Sequence, residues 1–129
     1  MTAQTKIISF FQFQLPMIAW SLFIFIASSI PSTNISMLGG STDKLVHGSV
    51  FGVLCWLTHV ALFHQSNAAI RKYSLLMAIC FTTLFGFSDE FHQMFTPGRS
   101  SDPLDLLADT FGGIIYAAVS LHFKFYRNE

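Results

Sequence analysis

Charge is the first thing this sequence is short of. Charged residues make up 11% of the 129 positions, where a soluble domain carries roughly 25%. Formal net charge is zero, so neither a nucleic-acid footprint nor a polybasic membrane tail is present. Cysteine is scarce too. Cys55 and Cys80 each fall inside an apolar run and read as small hydrophobes. No CxxC or Cys/His metal spacing occurs, which excludes a disulfide framework and a zinc motif. There is no Ser or Cys nucleophile motif. No cofactor or resident metal is expected on these grounds.

What fills the space is apolar. Hydrophobic residues reach 52%, with 15 phenylalanines. A water-soluble chain of this length cannot hide that much apolar surface. A bilayer can, because lipid solvates the outer faces. A spanning helix needs about 20 mainly apolar residues, and segments near 15–30, 45–64, 73–91 and 104–123 qualify. The expected fold is all-α: one domain over residues 1–129, a bundle of four transmembrane helices. Turn signals separate the spans: Ile30-Pro31-Ser32-Thr33-Asn34 and Gly39-Gly40-Ser41, then Gln65-Ser66-Asn67, then Thr96 to Pro103. The connections leave no room for a soluble domain. The first span is read as a retained helix rather than a cleaved signal peptide, since Lys6 stands alone before it and no A-x-A pattern follows.

Orientation follows from Lys and Arg. With the N-terminus inside, Lys6, Arg71, Lys72, Lys124 and Arg127 are cytoplasmic, against Lys44 and Arg99 outside. The expectation is N-in/C-in. Asp43, Asp89, Glu90, Asp102, Asp105 and Asp109 then gather at the outer side, leaving Glu129 inside.

Three groups form that cluster. Asp43, Lys44 and His47 open the second span at spacings of three and four, so they can share a helix face. Asp89, Glu90 and Gln93 close the third at the same spacings, with His92 read as a surface residue. Arg99 lies in the following loop. Asp105 and Asp109, four apart, enter the fourth span, and Gly112, Gly113 and Tyr116 continue the stripe. Helical rise puts Glu90 about 25 Å from Tyr73 and Asp109 about 21 Å from Phe123. In a hydrocarbon core of about 30 Å, Asp109 therefore lies below the outer boundary. An ionised carboxylate there needs a partner, and Lys44, Arg99 and His47 are available. Asp102-Pro103 reads as an N-cap followed by proline at the first helical position, and Asp105 can complement the helix dipole. Gly48 and Gly52 form a GxxxG pattern that indicates close helix packing. His59, His64 and His122 lie toward the inner side, where a haem reading is the weaker alternative to ordinary interface histidines.

Together these groups resemble the VanZ-like family of small bacterial membrane proteins. The matching elements are Asp43-Lys44-x-x-His47, Asp89-Glu90-x-x-Gln93 and Pro97-Gly98-Arg99, followed by Asp105, Asp109 and Gly112. The match runs from Asp43 to Tyr116. Asp109 departs from the family pattern, which often has Asn there. The resemblance implies a multi-pass protein of the bacterial cytoplasmic membrane and a link to teicoplanin resistance. It does not supply a biochemical activity.

Three functions compete. A binding protein would use Asp43, Lys44, His47, Asp89, Glu90, Gln93, Arg99, Asp105 and Asp109 to hold an anionic or amphiphilic envelope component, with Arg99 forking onto a phosphate or carboxylate. A hydrolase or transferase acting on a lipid-linked phosphate would use His47 as general base, with Glu90 or Asp89 as its acid partner. A divalent cation on Asp105, Asp109 and Glu90 would assist it. A transporter subunit is the third reading, disfavoured because the charges gather at one end rather than the midplane. The expected partners are the bilayer and an amphiphilic ligand, with no nucleic acid. Oligomeric state is not legible.

Overall fold

The computed structural model describes residues 3–31 and 41–123. The loop 32–40, with its Gly39-Gly40 turn, and the tail carrying Lys124, Arg127 and Glu129 lie outside the described residues. All regular structure among the described residues is helical: α1 (Ala3–Ser9), a π-helical segment (Phe10–Gln14), α2 (Leu15–Ser28), α3 (Ser41–Phe63), α4 (Ala68–Lys72), α5 (Ser74–Gln93) and α6 (Pro103–His122). Four stretches are long and apolar enough to cross a membrane: Ile7–Ser28, Thr42–Phe63, Ser74–Gln93 and Pro103–His122.

The expected four-span architecture is present, with shifted edges. The first span starts near Ile7 rather than Leu15, and it runs through Pro16. Proline has no N–H to donate and its ring crowds the carbonyl four residues back. Widening the preceding turn solves both problems, and the Leu15 N–H reaches the Phe10 carbonyl five residues back. α3 starts at Ser41 and the second span at Thr42 rather than near Leu45, because the polar first turn is helical although it is not apolar. The short α4 is held by Asn67, whose side chain accepts from the Ala69 and Ile70 N–H groups. At five residues it is too brief to register as a span.

α3 lies at the centre, packing on α6, α5, α2, the π-helical segment and α4. The tightest seam is with α6. A Cβ at Gly52 would come within 3.3 Å of the Gly112 carbonyl, and one at Gly112 would overlap the Gly48 backbone outright. The expected glycine packing is thus real, and its partner is α6. The interior is built from small and polar residues: Ala78, Thr82 and Gly86 on α5, and Gly112, Gly113, Ala117 and Ser120 on α6. Large side chains point outward; Leu84 and Leu121 are each 69% exposed. Cys55 is buried, as expected, but Cys80 sits on the exposed face. One apolar cluster of Ile24, Phe51 and Leu54, flanked by Trp20, Val50 and Phe85, joins α2 to α3 and α5. The Trp20 indole N–H donates to the Val50 carbonyl at 3.0 Å, pinning α2 to α3 midway along.

Candidate functional site: a polar cluster at one end of the bundle

The N-terminal ends of α3 and α6 and the C-terminal ends of α2 and α5 lie together. Asp43, Lys44, His47, Asp89, Glu90, Gln93, Arg99, Asp105 and Asp109 are all at this end. Lys44, in the first turn of α3, donates to Asp102 Oδ2 at 2.5 Å and to Asp105 Oδ1, with Asp43 Oδ2 at 3.9 Å. One turn deeper, His47 Nδ1 lies 3.1 Å from Asp109 Oδ1, and its Nε2 lies 3.9 Å from Asp105 Oδ2. Asp109 is completely buried. Its partner is His47, one of the three anticipated candidates.

Asp89 and Glu90 are neighbours on α5 but serve different helices. Asp89 Oδ1 accepts from Ser28 Oγ of α2 at 2.5 Å, and its Oδ2 accepts from Gln93 Nε2 at 2.9 Å, the expected pairing one turn on. Glu90 Oε2 instead accepts the Asp102 backbone N–H at 2.8 Å, just ahead of α6. Asp102 caps α6 as anticipated, with Oδ1 accepting from the Leu104 N–H at 2.9 Å. It also pairs with Lys44, a second role its capping position does not reveal. The Lys44 ammonium holds the Asp102 carboxyl below the usual carboxylate range.

Arg99 differs from expectation. It makes no ion pair with Asp105 among the described residues. Its Nε donates to the Ile30 carbonyl at 3.1 Å and its Nη2 to the Ala27 carbonyl at 3.3 Å. The last carbonyls of a helix have no intrahelical donor, and a guanidinium in the loop supplies one. Arg99 is thus a clamp on the end of α2, and it also lines the cavity described next. His92, read as a surface residue, is of intermediate exposure, with Nε2 2.9 Å from Ser29 Oγ and its ring stacked on Phe25.

These contacts enclose a cavity of about 420 Å³ between α2 and the other helices. Its lining is part polar, with Asp43, His47, Asp89, Gln93, Arg99 and Asp105, and part apolar, with Phe23, Ile24, Val50 and Phe51. Two trios bring one potential ligand atom each to within 4.8 Å of one another: Asp43, His47 and Asp105, and His47, Glu90 and Asp109.

The VanZ/LLP1 family profile matches residues 3–124 of the chain. The chain belongs to the VanZ/LLP1 family. No curated protein and no solved structure matches it.

Membership accords with the resemblance carried by Asp43 to Tyr116, and the match extends it over the first span. The residues that carry the resemblance are the ones that meet at one end of this bundle. Sequence reasoning missed three of their supports. Ser28 donates to Asp89, Thr96 Oγ1 donates to the Ser28 carbonyl at 3.3 Å, and Ser29 meets His92. A lone hydroxyl at the end of an apolar run carries no signal of its own. Beyond the cluster, His59 Nδ1 lies 2.9 Å from the Tyr116 hydroxyl, joining α3 to α6.

Proposed function

We propose that this VanZ-family protein binds an amphiphilic component of the bacterial cell envelope, using the polar cluster as a head-group site open to the outer face of the cytoplasmic membrane. Both termini then lie inside. The orientation rests on the Lys and Arg bias, with Lys6, Arg71, Lys72, Lys124 and Arg127 on one side against Lys44 and Arg99 on the other.

The observation that carries the reading is the mixed polar and apolar lining of the 420 Å³ cavity. Its size falls in the range of small-molecule sites, about 300–1,000 Å³. Such a lining suits a head group with its chain attached. The charge balance refines the ligand. Asp43, Asp89, Glu90, Asp102, Asp105 and Asp109 face Lys44 and Arg99, and Lys44 is already committed to Asp102 and Asp105. A bare anion would meet a surplus of acceptors. A head group combining one anionic group with hydroxyl or amine donors fits better: Arg99 takes the anion, and Asp43, Asp89 and His47 take the donors. Teicoplanin, with its lipid tail, has this general form, and a resistance role belongs to the same proposal.

The test is native mass spectrometry of the purified protein titrated with short-chain phosphatidylglycerol and, separately, an uncharged diacylglycerol. Phosphatidylglycerol should be retained, and Val50→Trp, which fills the apolar part of the lining, should weaken retention about tenfold or more. Arg99→Ala should erase the preference for the charged lipid. Equal retention of both lipids by all three proteins would remove the reading.

A hydrolase reading gains one observation, the His47–Asp109 pair on a cavity wall. Release of phosphate from a lipid-linked phosphate, abolished by His47→Ala, would establish it.

A further inference from the structure

Two buried oxygens in the cluster accept no hydrogen bond among the described residues: Glu90 Oε1 and Asp109 Oδ2. Their sister oxygens are engaged, Glu90 Oε2 by the Asp102 N–H and Asp109 Oδ1 by His47. Asp109 is 0% and Glu90 4% exposed. Asp109 Oδ2 is turned toward α5, where a Cβ at Gly86 would come within 3.0 Å of it, one helical turn before Glu90. Glu90 and Asp109 thus meet at the junction of α5 and α6. His47 completes the group, with one ligand atom from each residue inside 4.8 Å.

Buried polar atoms in native proteins are almost always paired, and two carboxylates in a low-dielectric interior need counter-charge. Lys44 is bonded to Asp102 and Asp105, and the single imidazole of His47 can offset at most one of the two carboxylates. We propose that His47, Glu90 and Asp109 hold a first-row divalent cation, Zn2+ or Mn2+. One imidazole with two carboxylates is a ligand set for these ions, whereas Ca2+ and Mg2+ favour oxygen alone. Ligands about 2.1 Å from one ion require the three atoms to draw together by small side-chain rotations. The other trio is the poorer host, because its Asp105 is already Lys44's partner and the side chain of Asp43 is 41% exposed. The cation site stands apart from the amphiphile reading. Because His47 also lines the cavity, an open coordination position would face it.

The full chain, purified in detergent and stripped with chelator, is titrated with ZnCl2 and MnCl2 by calorimetry. Co2+ reports ligand geometry through its visible absorption. Saturable binding of one equivalent is expected, with a rise in the thermal midpoint. Glu90→Gln keeps the side chain's shape and should weaken binding about tenfold or more. His47→Gln should abolish the Co2+ band, while Asp43→Asn leaves both readouts unchanged. Circular dichroism shows whether each variant is folded, and Glu90→Gln decides the matter if His47→Gln is not. Absence of saturable binding, wild-type affinity in Glu90→Gln, or loss of binding in Asp43→Asn would each overturn the assignment. A protein that binds the ion but no phosphatidylglycerol would retain this site and lose the amphiphile reading.

Discussion

Lys44 answers two carboxylates from a single ammonium, and one of them, Asp105, is buried. Lys44→Met keeps the apolar stem and removes the charge. It should destabilise the bundle by about 1–3 kcal/mol, below the full cost of breaking a buried pair because Lys44 is partly exposed. Unfolding by titration with a denaturing detergent measures it. Acid should act on the same pair. The Asp102 carboxyl is held below its ordinary range, so its contribution is present above about pH 4 and is lost as pH falls through its depressed value. Asp102→Asn should therefore show a shallower fall of thermal midpoint on acidification. At this scale the sequence was informative about which residues matter and less so about whom they meet. The burial of Asp109 follows from its depth in an apolar run, and depth can be counted. The attachment of Arg99 to the Ala27 and Ile30 carbonyls cannot be counted, because the need it meets belongs to backbone atoms at the end of another helix.

α5 and α6 carry their polar and small residues inward and their bulk outward. On α5 the buried set is Ser74, Ala78, Thr82, Gly86, Asp89, Glu90 and Gln93, while Leu84, Phe87 and Phe91 are exposed. That inversion is what a lipid solvent selects, since apolar side chains gain little by leaving it. The α3–α6 seam then depends on backbone approach. Gly112→Ala should force α6 away from Gly48 and cost about 1–3 kcal/mol, whereas Ala at exposed Ile114 should cost much less. The same unfolding titration ranks the two. The GxxxG of α3 was legible as a packing motif because its spacing is diagnostic. The partner helix was not, because any of three spans could have met it. Element ends were the least legible part. The first span was expected from near residue 15, and the wider turn before Pro16 lets the helix begin further back.

At the scale of the whole molecule, hydropathy alone anticipated four crossings, because a bilayer leaves a chain few alternatives. The direction of crossing is tested by labelling. Ser100→Cys in the loop before α6 should react with an impermeant maleimide added outside intact cells, and Ser66→Cys, between α3 and α4, should not. The reverse pattern would turn the cluster to the cytosol.

The first span stands apart from the other three. Its most apolar window is 6% buried, against 33% for each of the others. It is fastened to them by Ser28, Ser29, Arg99 and Thr96 at one end and by the Trp20 indole midway. This helix is also one side of the cavity. If the cavity takes the proposed amphiphile, a guest arriving sideways from the lipid would meet this helix as a door latched at the cluster end, with Phe13 stacked on His64 near the other. Loosening the hydroxyl, guanidinium and indole bonds should then change the rate of entry more than the strength of the grip.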